Sequence, residues 1–300
     1  MSLTLVTIAQ QIAATLLGYP KDYGKRETAL YHLKLFAEDS NRQGIWASIK
    51  KEDFCARMKE LINEPWVLDQ KKSKRCMAVT PIFVFLAFFP ARFTAFAVSI
   101  FETGEGRLGS TSVKMQRTLA KDALKPTNKT WKMDLTDMKL TLVMREMQNG
   151  YFDIDTMNDA VALSPGGLDE TMEPIEKSGL FDVTQVERTV AAVKALSTDT
   201  PSFVIITGPG PSFNNGSVAH AGVILPTIEV KNERVTYELW SWGTSEGVLN
   251  NSKPSAQGWR KVTVRSWRFE QLYNIHQIHP KDRDGIPNFY VPPGADMEPG

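Results

Sequence analysis

Cys76 and His220 are the residues of this chain whose side chains could carry nucleophilic chemistry. The 300-residue sequence has only two cysteines and four histidines. A cysteine attacks a carbonyl carbon as the thiolate, and a helix N-terminus or a neighbouring imidazolium lowers its pKa. Cys76 precedes the most hydrophobic run of the chain, and His220 opens the apolar run 220–225. A thiol and an imidazole brought together in this way can cleave an amide bond.

A purely structural role is the alternative for both residues. Cys76 would then be a buried thiol at the start of a core helix, and His220 a hydrogen-bonded core histidine. Cys55 lies inside the amphipathic stretch 50–61, where a small apolar side chain suffices, so Cys76 is the better nucleophile candidate. Two cysteines are too few for a disulfide framework, and both are predicted to be free thiols.

Three spacings resemble those of papain-like cysteine proteases. Gln70 precedes Cys76 by six residues, His220 is followed by an alanine on a predicted strand, and 241–244 reads Ser-Trp-Gly-Thr. The resemblance implies an α+β fold in which a helical N-terminal half packs on an antiparallel sheet. It also implies that Cys76 is the nucleophile, that His220 is the general base, and that the Gln70 amide with the Cys76 backbone N–H binds the oxyanion.

The residue that would orient His220 departs from the family pattern. Trp240 stands where the family has an asparagine, and an indole offers one N–H donor and no acceptor. Bacterial effector proteases of this family use aspartate there, so Glu238 and Glu246 are the candidates. A two-residue turn at 232–233 favours Glu246, whereas a bulged register favours Glu238. We favour Glu238, because a strand would fix its orientation.

The apolar segment 76–101 allows two interpretations. It is long enough to span a bilayer, which takes ~20 residues, and Arg92 is its only charged residue. Pro81 and Pro90, however, divide it into short pieces, which favours buried core helices over a membrane-active segment. Because of Pro81, the helix formed by this segment has two possible first residues. A helix from 76 would place Cys76 at its N-terminus, and a helix from 80 would leave Cys76 in the preceding loop.

The chain changes from helical to strand-like periodicity near residue 200. We divide it into a helical half at 1–125 with the candidate nucleophile, a mainly helical connecting region at 126–199, a sheet half at 200–283 with the candidate histidine, and an irregular tail at 284–300. The predicted helices include 25–38, 43–62, 182–196 and one after 266, the predicted strands are 202–207, 219–230, 234–242 and 260–267, and 101–112 is predicted to be a loop.

Charge and the N-terminus limit the function classes. Thirty-five basic residues balance 34 acidic ones, which argues against nucleic acid as a partner. The N-terminus shows no classical signal peptide, so we expect a cytoplasmic protein or one exported by a non-classical route. We expect no metal or cofactor. The expected partners are a peptide, protein or peptidoglycan-amide substrate and an immunity or inhibitor protein.

Three hypotheses from different classes follow. The first is a papain-like cysteine hydrolase, a protease or amidase, which family analogy extends to a bacterial effector toxin. The second is a non-enzymatic α+β binding or structural protein in which Cys76 and His220 are core residues. The third is a membrane-active toxin that inserts segment 76–101.

Overall fold

The protein combines helices with an antiparallel sheet. The computed structural model describes residues 26–46, 48–68, 76–115, 133–148, 171–196, 202–213, 220–240 and 259–281. This part of the chain contains eight α-helices, a two-stranded hairpin and a six-stranded antiparallel sheet. The fold is therefore mixed α+β, as the sequence predicts.

The helices concentrate in the first half of the chain. Along the sequence they are α1 (Arg26–Glu38), α2 (Lys51–Asn63), α3 (Cys76–Phe88), α4 (Pro90–Thr103), α5 (Leu135–Gln148), α6 (Glu173–Ser178), α7 (Val190–Lys194) and α8 (Ser266–Phe269). Short 3-10 helices form at Pro65–Val67 and Gly210–Phe213.

The strands form two separate sheets. A small hairpin pairs β1 (Glu105–Leu108) with β2 (Thr111–Lys114), where the sequence predicts a loop. The large sheet contains β3 (Phe181–Gln185), β4 (Phe203–Gly208), β5 (His220–Lys231), β6 (Arg234–Trp240), β7 (Trp259–Arg265) and β8 (Asn274–Pro280). Its strand order is β3-β8-β4-β5-β6-β7, and every neighbouring pair is antiparallel.

Segment 76–101 forms two helices of the protein core. All thirteen residues of α3 are buried, and Pro90 occupies the first turn of α4, where its missing N–H breaks no helical bond. Pro81 lies inside α3 and removes one backbone hydrogen bond without ending the helix. The later of the two possible starting points, residue 80, is therefore wrong, because Cys76 already lies in α3 and residues 69–75 are outside the described part of the chain. No helix in the described ranges is long and apolar enough to cross a membrane.

The β5–β6 hairpin has the predicted two-residue turn. Asn232 and Glu233 have positive φ values of 50° and 57°, the conformation that a type I′ turn requires at both central residues. Farther from the turn the register shifts between Ile224 and Ile228, which marks a bulge in β5. Both features considered in the sequence analysis, the tight turn and the bulge, therefore occur in the same hairpin.

Two predicted helices are wrong. Stretch 182–196 contains strand β3 followed by the short helix α7, whose N-cap is Thr189. The helix expected after 266 ends within one turn, and strand β8 follows it. In both cases strand pairing decides the structure, because β8 lies between β3 and β4 and its backbone hydrogen bonds override the local helical pattern. Helix α2 also begins at Lys51, eight residues later than predicted.

The large sheet separates two hydrophobic clusters. Alternate strand residues on one face belong to the same hydrophobic cluster as α3 and α4, and they include Phe203, Ile205, Ala221, Val223 and Trp240. The residues between them, such as Val204, Ile206, Ile224 and Leu239, point to the other face and pack with Phe213 and Leu272. We call these the helix face and the outer face of the sheet. Because successive strand residues point to opposite faces, two candidate site residues can contact each other only if their side chains lie on the same face of the sheet.

Candidate functional site

The Cys76 thiol lies at the N-terminus of α3, against the sheet. Its side chain is buried, with 2% of the residue exposed. Burial raises the pKa of the thiol to about 11, although the backbone N–H groups of Ala221, Met77 and Cys76 itself and the charge of Arg145 act in the opposite direction. The site thus contains the groups that stabilise a thiolate, but exclusion of water outweighs them.

Aromatic packing fixes the direction of α3 across the sheet. The Phe83 ring stacks on Trp240 of β6 with ring centroids 3.8 Å apart. Near the helix C-terminus, Phe88 meets Phe203 at the start of β4 with centroids 4.9 Å apart. Helix α3 therefore runs antiparallel to β4, and its Cys76 end lies over the end of β4 and the start of β5.

His220 is the first residue of β5 and is also buried. It pairs with Gly208 of β4, and its ring meets Phe213 edge-on with centroids 5.2 Å apart. Burial lowers the pKa of the imidazole to about 4. His220 is therefore neutral at pH 7, which is the protonation state of a general base.

Cys76 lies next to the backbone of β5 beside His220, but the side chains of the two residues lie on opposite faces of the sheet. The N–H of Ala221 lowers the pKa of the Cys76 thiol, and Ala221 belongs with Cys76 to the cluster on the helix face. Because successive strand residues alternate, the imidazole of His220 belongs to the outer face, where it contacts Phe213. The structure thus brings the two candidate residues to neighbouring positions of the fold with the sheet between their functional groups.

Glu238 does not reach His220 in this arrangement. It pairs with Lys261 of β7 and shares the helix face with Trp240, two residues later. Trp240 pairs with Val223, so Glu238 lies roughly 16 Å from His220 along the sheet at ~3.3 Å per residue. Its orienting role stays a prediction, and Gln70 and Glu246 lie outside the described residues.

Thr207 is a buried polar residue near Cys76 and His220. The sequence motifs that resemble papain-like proteases do not include it. Thr207 is the cross-strand partner of Ala221 and is 1% exposed, and its hydroxyl makes no hydrogen bond to any residue in the described part of the chain. The sequence does contain a signal for it, because Thr207 ends the otherwise apolar run Phe-Val-Ile-Ile-Thr. Arg145 of α5, whose charge favours the Cys76 thiolate, has no comparable sequence signal.

Among the residues that the structure describes, no group of three His, Cys, Asp or Glu side chains is arranged to hold a metal ion. Comparisons of the chain with protein-family models, with curated proteins and with solved structures found no match. The resemblance to papain-like proteases therefore rests on the short motifs of the sequence alone.

Proposed function

We propose that the protein is a papain-like cysteine hydrolase that cleaves a peptide or amide bond with Cys76 as its nucleophile and His220 as its base. The observation that carries the proposal is that Cys76 and Ala221, the residue next to His220, belong to one buried cluster, in which the Ala221 N–H lowers the pKa of the Cys76 thiol. The two motifs are far apart in sequence, and α3 joins them at one end of the sheet. Cys76 lies in a buried helix, which supports the resemblance to the family.

The reaction assigns a role to each group. The Cys76 thiolate attacks the carbonyl carbon of the substrate, and the proton of the thiol passes to His220. The backbone N–H of Cys76, with the Gln70 amide, stabilises the oxyanion that forms. The C–N bond then breaks, His220 returns the proton to the leaving amine, and water releases the acyl group from the sulfur.

Catalysis requires the imidazole on the helix face of the sheet. His220 is the first residue of β5, and among the described residues its cross-strand partner is Gly208, so a change at the strand end affects this one described pair. A shift of one residue in a strand exchanges its two faces. Such a shift at the start of β5 moves the His220 side chain to the face that carries Cys76.

A non-enzymatic α+β binding or structural protein is the second candidate, and one specific observation favours it. The imidazole is on the outer face, and the pKa values of the two groups, about 11 for Cys76 and about 4 for His220, are those of neutral core residues. The third hypothesis, a membrane-active toxin, has no such support, because every residue of α3 faces the protein core.

Thiol reactivity separates the two candidates. Cys55→Ser and Cys76→Ser variants each retain one cysteine, and the rate of iodoacetamide labelling at pH 6.5 is measured by mass spectrometry. Burial raises the pKa of Cys55 to about 11 as well, and Cys55 is the more exposed thiol. A hydrolase predicts that Cys76 is labelled at least ~10-fold faster than Cys55. Equal slow labelling, or faster labelling of Cys55, would overturn the hydrolase and favour the second candidate.

A further inference from the structure

Three basic residues form a continuous row across strands β5, β6 and β7. Lys231 pairs with Arg234 across the β5–β6 turn, and Arg234 pairs with Arg265 of β7. Cross-strand partners point to the same face of a sheet with their Cβ atoms about 5 Å apart, so the three side chains lie side by side. All three residues are exposed. We call Lys231, Arg234 and Arg265 the basic row.

The charges of the basic row are not neutralised within the described part of the chain. None of the ion pairs or side-chain hydrogen bonds between described residues includes a member of the row. Glu229, an acidic residue on the same face, has its carboxylate 3.8 Å from the ammonium group of Lys261 instead. Like charges at directly opposite strand positions destabilise a sheet. An anionic partner bound at the row would relieve this repulsion.

The basic row lies on an open part of the helix face. Val235, next to Arg234, belongs to the outer cluster, so the alternation along β6 places Arg234 on the helix face. Helix α3 contacts this strand at Trp240, six residues or about 20 Å farther along β6. Between these positions the hydroxyls of Thr236 and Thr263 share an exposed hydrogen bond of 2.8 Å. The row therefore belongs to a flat, polar sheet surface that an extended partner can reach.

An exposed tryptophan borders the basic row. Helix α8 begins directly after Arg265, and the N–H of Ser266 donates a 2.8 Å hydrogen bond to the Glu233 carbonyl in the hairpin turn. This bond holds the start of α8 beside the row. Trp267 is 51% exposed, and the Arg268 guanidinium lies 5.2 Å from the centre of its ring. Tryptophan is enriched where proteins meet lipid headgroups, because its ring is apolar and its N–H is a polar donor.

We propose that the basic row and Trp267 form a docking surface for a membrane that contains anionic phospholipids. The three basic side chains contact lipid phosphates, and the indole enters the headgroup layer. A soluble polyanion would also attract the row, but it offers no apolar layer for the exposed indole. The chain as a whole has 35 basic and 34 acidic residues, so the attraction is local to this surface. Docking of this kind leaves α3 in the core and does not depend on the chemistry of Cys76.

Co-sedimentation with lipid vesicles tests the docking surface. The wild type and an Arg234→Gln/Arg265→Gln double variant are mixed at low salt with vesicles of phosphatidylcholine, alone or with an equal amount of phosphatidylserine. We expect the wild type to bind only the vesicles with phosphatidylserine. The double variant should bind them about 25-fold more weakly, since each basic residue near an anionic membrane contributes about fivefold.

A second variant separates the indole from the charges. Trp267→Ala should weaken binding to the phosphatidylserine vesicles while the salt dependence of binding stays as in the wild type, because the basic row is intact. The double variant should lose most of that salt dependence, because salt screens the charges that it removes.

Lys50→Gln/Lys59→Gln is the matched control. Both lysines are exposed residues of the α2 region, outside the hairpin, and their replacement changes the net charge by the same amount. This variant should bind like the wild type. Arg234→Gln/Arg265→Gln should unfold at an unchanged or higher temperature, since it removes a like-charge contact. Weaker binding at unchanged stability is an effect that a merely structural role of the two arginines does not produce.

Four outcomes would overturn the proposal. They are the absence of wild-type binding to phosphatidylserine vesicles, undiminished binding by the row variant, undiminished binding by Trp267→Ala, and an equal loss in the lysine control. Wild-type binding to a short DNA duplex but not to the vesicles would replace the membrane by a soluble polyanion as the partner. The labelling of Cys76 enters none of these measurements, so a failure here is distinguishable from a failure of the proposed hydrolase.

Discussion

At the scale of single residues, burial determines the protonation states of the candidate site. Cys76 and His220 are both excluded from water, and burial disfavours the charged form of each group. That His220 lies at the start of a strand could be predicted from the sequence. The face of the sheet on which the imidazole lies could not, because a displacement of one residue reverses it and the preceding residues do not determine the register.

The stability of the protein should depend on pH through His220. The imidazole has a folded pKa of about 4 against ~6.5 for an unperturbed histidine. Between these values the unfolded chain binds more protons, so this contribution to stability is complete above pH 6.5 and is lost as the pH falls to 4. The loss amounts to about 3 kcal/mol.

Urea denaturation at pH 4.5, 5.5 and 7 measures this dependence. His220→Gln removes the titrating group, so the difference in unfolding free energy between pH 7 and pH 4.5 should become smaller than in the wild type. His32→Gln, at a partly buried histidine, should change the dependence less. An identical pH dependence in wild type and His220→Gln would contradict a buried, neutral His220.

At the scale of elements, α3 positions the candidate site. Its apolar sequence identifies it as a core element, but Pro81 alone also allows a start after Cys76, and the structure shows that Cys76 lies within the helix. Strands β3 and β8 show the limit of local patterns. Their sequences read as parts of helices, and only the large sheet supplies the backbone partners that make them strands.

Phe83 should be the main contact between α3 and the sheet. It stacks on Trp240 and, with centroids 5.7 Å apart, on Phe203. Phe83→Ala removes both contacts and leaves a cavity, so we expect a loss of about 3–5 kcal/mol in the free energy of unfolding. Chemical denaturation followed by circular dichroism measures it. Leu35→Ala, at a residue 45% exposed, should stay within ~0.5 kcal/mol. Equal losses would show that α3 is not held through Phe83.

At the scale of the whole molecule, one ion pair joins distant helices of the first half. Arg57 of α2 donates to both carboxylate oxygens of Asp137 of α5, at 2.9 and 2.6 Å. Asp137 is 1% exposed. Burial lowers the pKa of Arg57, but the hydrogen bond with Asp137 and its charge outweigh that effect and raise it. Helix α5, which carries Arg145 towards Cys76, is thereby fixed to α2.

Asp137→Ala should destabilise the protein by about 3–5 kcal/mol, because it leaves the largely buried Arg57 guanidinium without its main partner. Glu38→Ala is the matched control, since it breaks an exposed pair with Lys34 and should change stability by less than ~1 kcal/mol. Thermal unfolding at pH 7 compares the two variants. Similar small effects would mean that the Arg57–Asp137 pair does not stabilise the packing of α2 on α5.

The α+β class and the change from helices to strands near residue 200 could be predicted from periodicity. Strand β3 could not, because it lies in the region predicted to be mainly helical and joins the edge of the sheet. The boundaries of the four predicted regions themselves remain untested. Pairing between residues distant in sequence determines the edge of the sheet, and local spacing carries no information about such a partner.

The dependence of Cys76 reactivity on His220 tests the proposed function most directly. In the Cys55→Ser protein, iodoacetamide labelling of Cys76 at pH 6.5 is compared with and without His220→Gln, and with His32→Gln as the control. A catalytic pair predicts that His220→Gln slows labelling at least ~10-fold and that His32→Gln leaves it unchanged. Equal labelling rates in all three proteins would contradict a pair formed by Cys76 and His220.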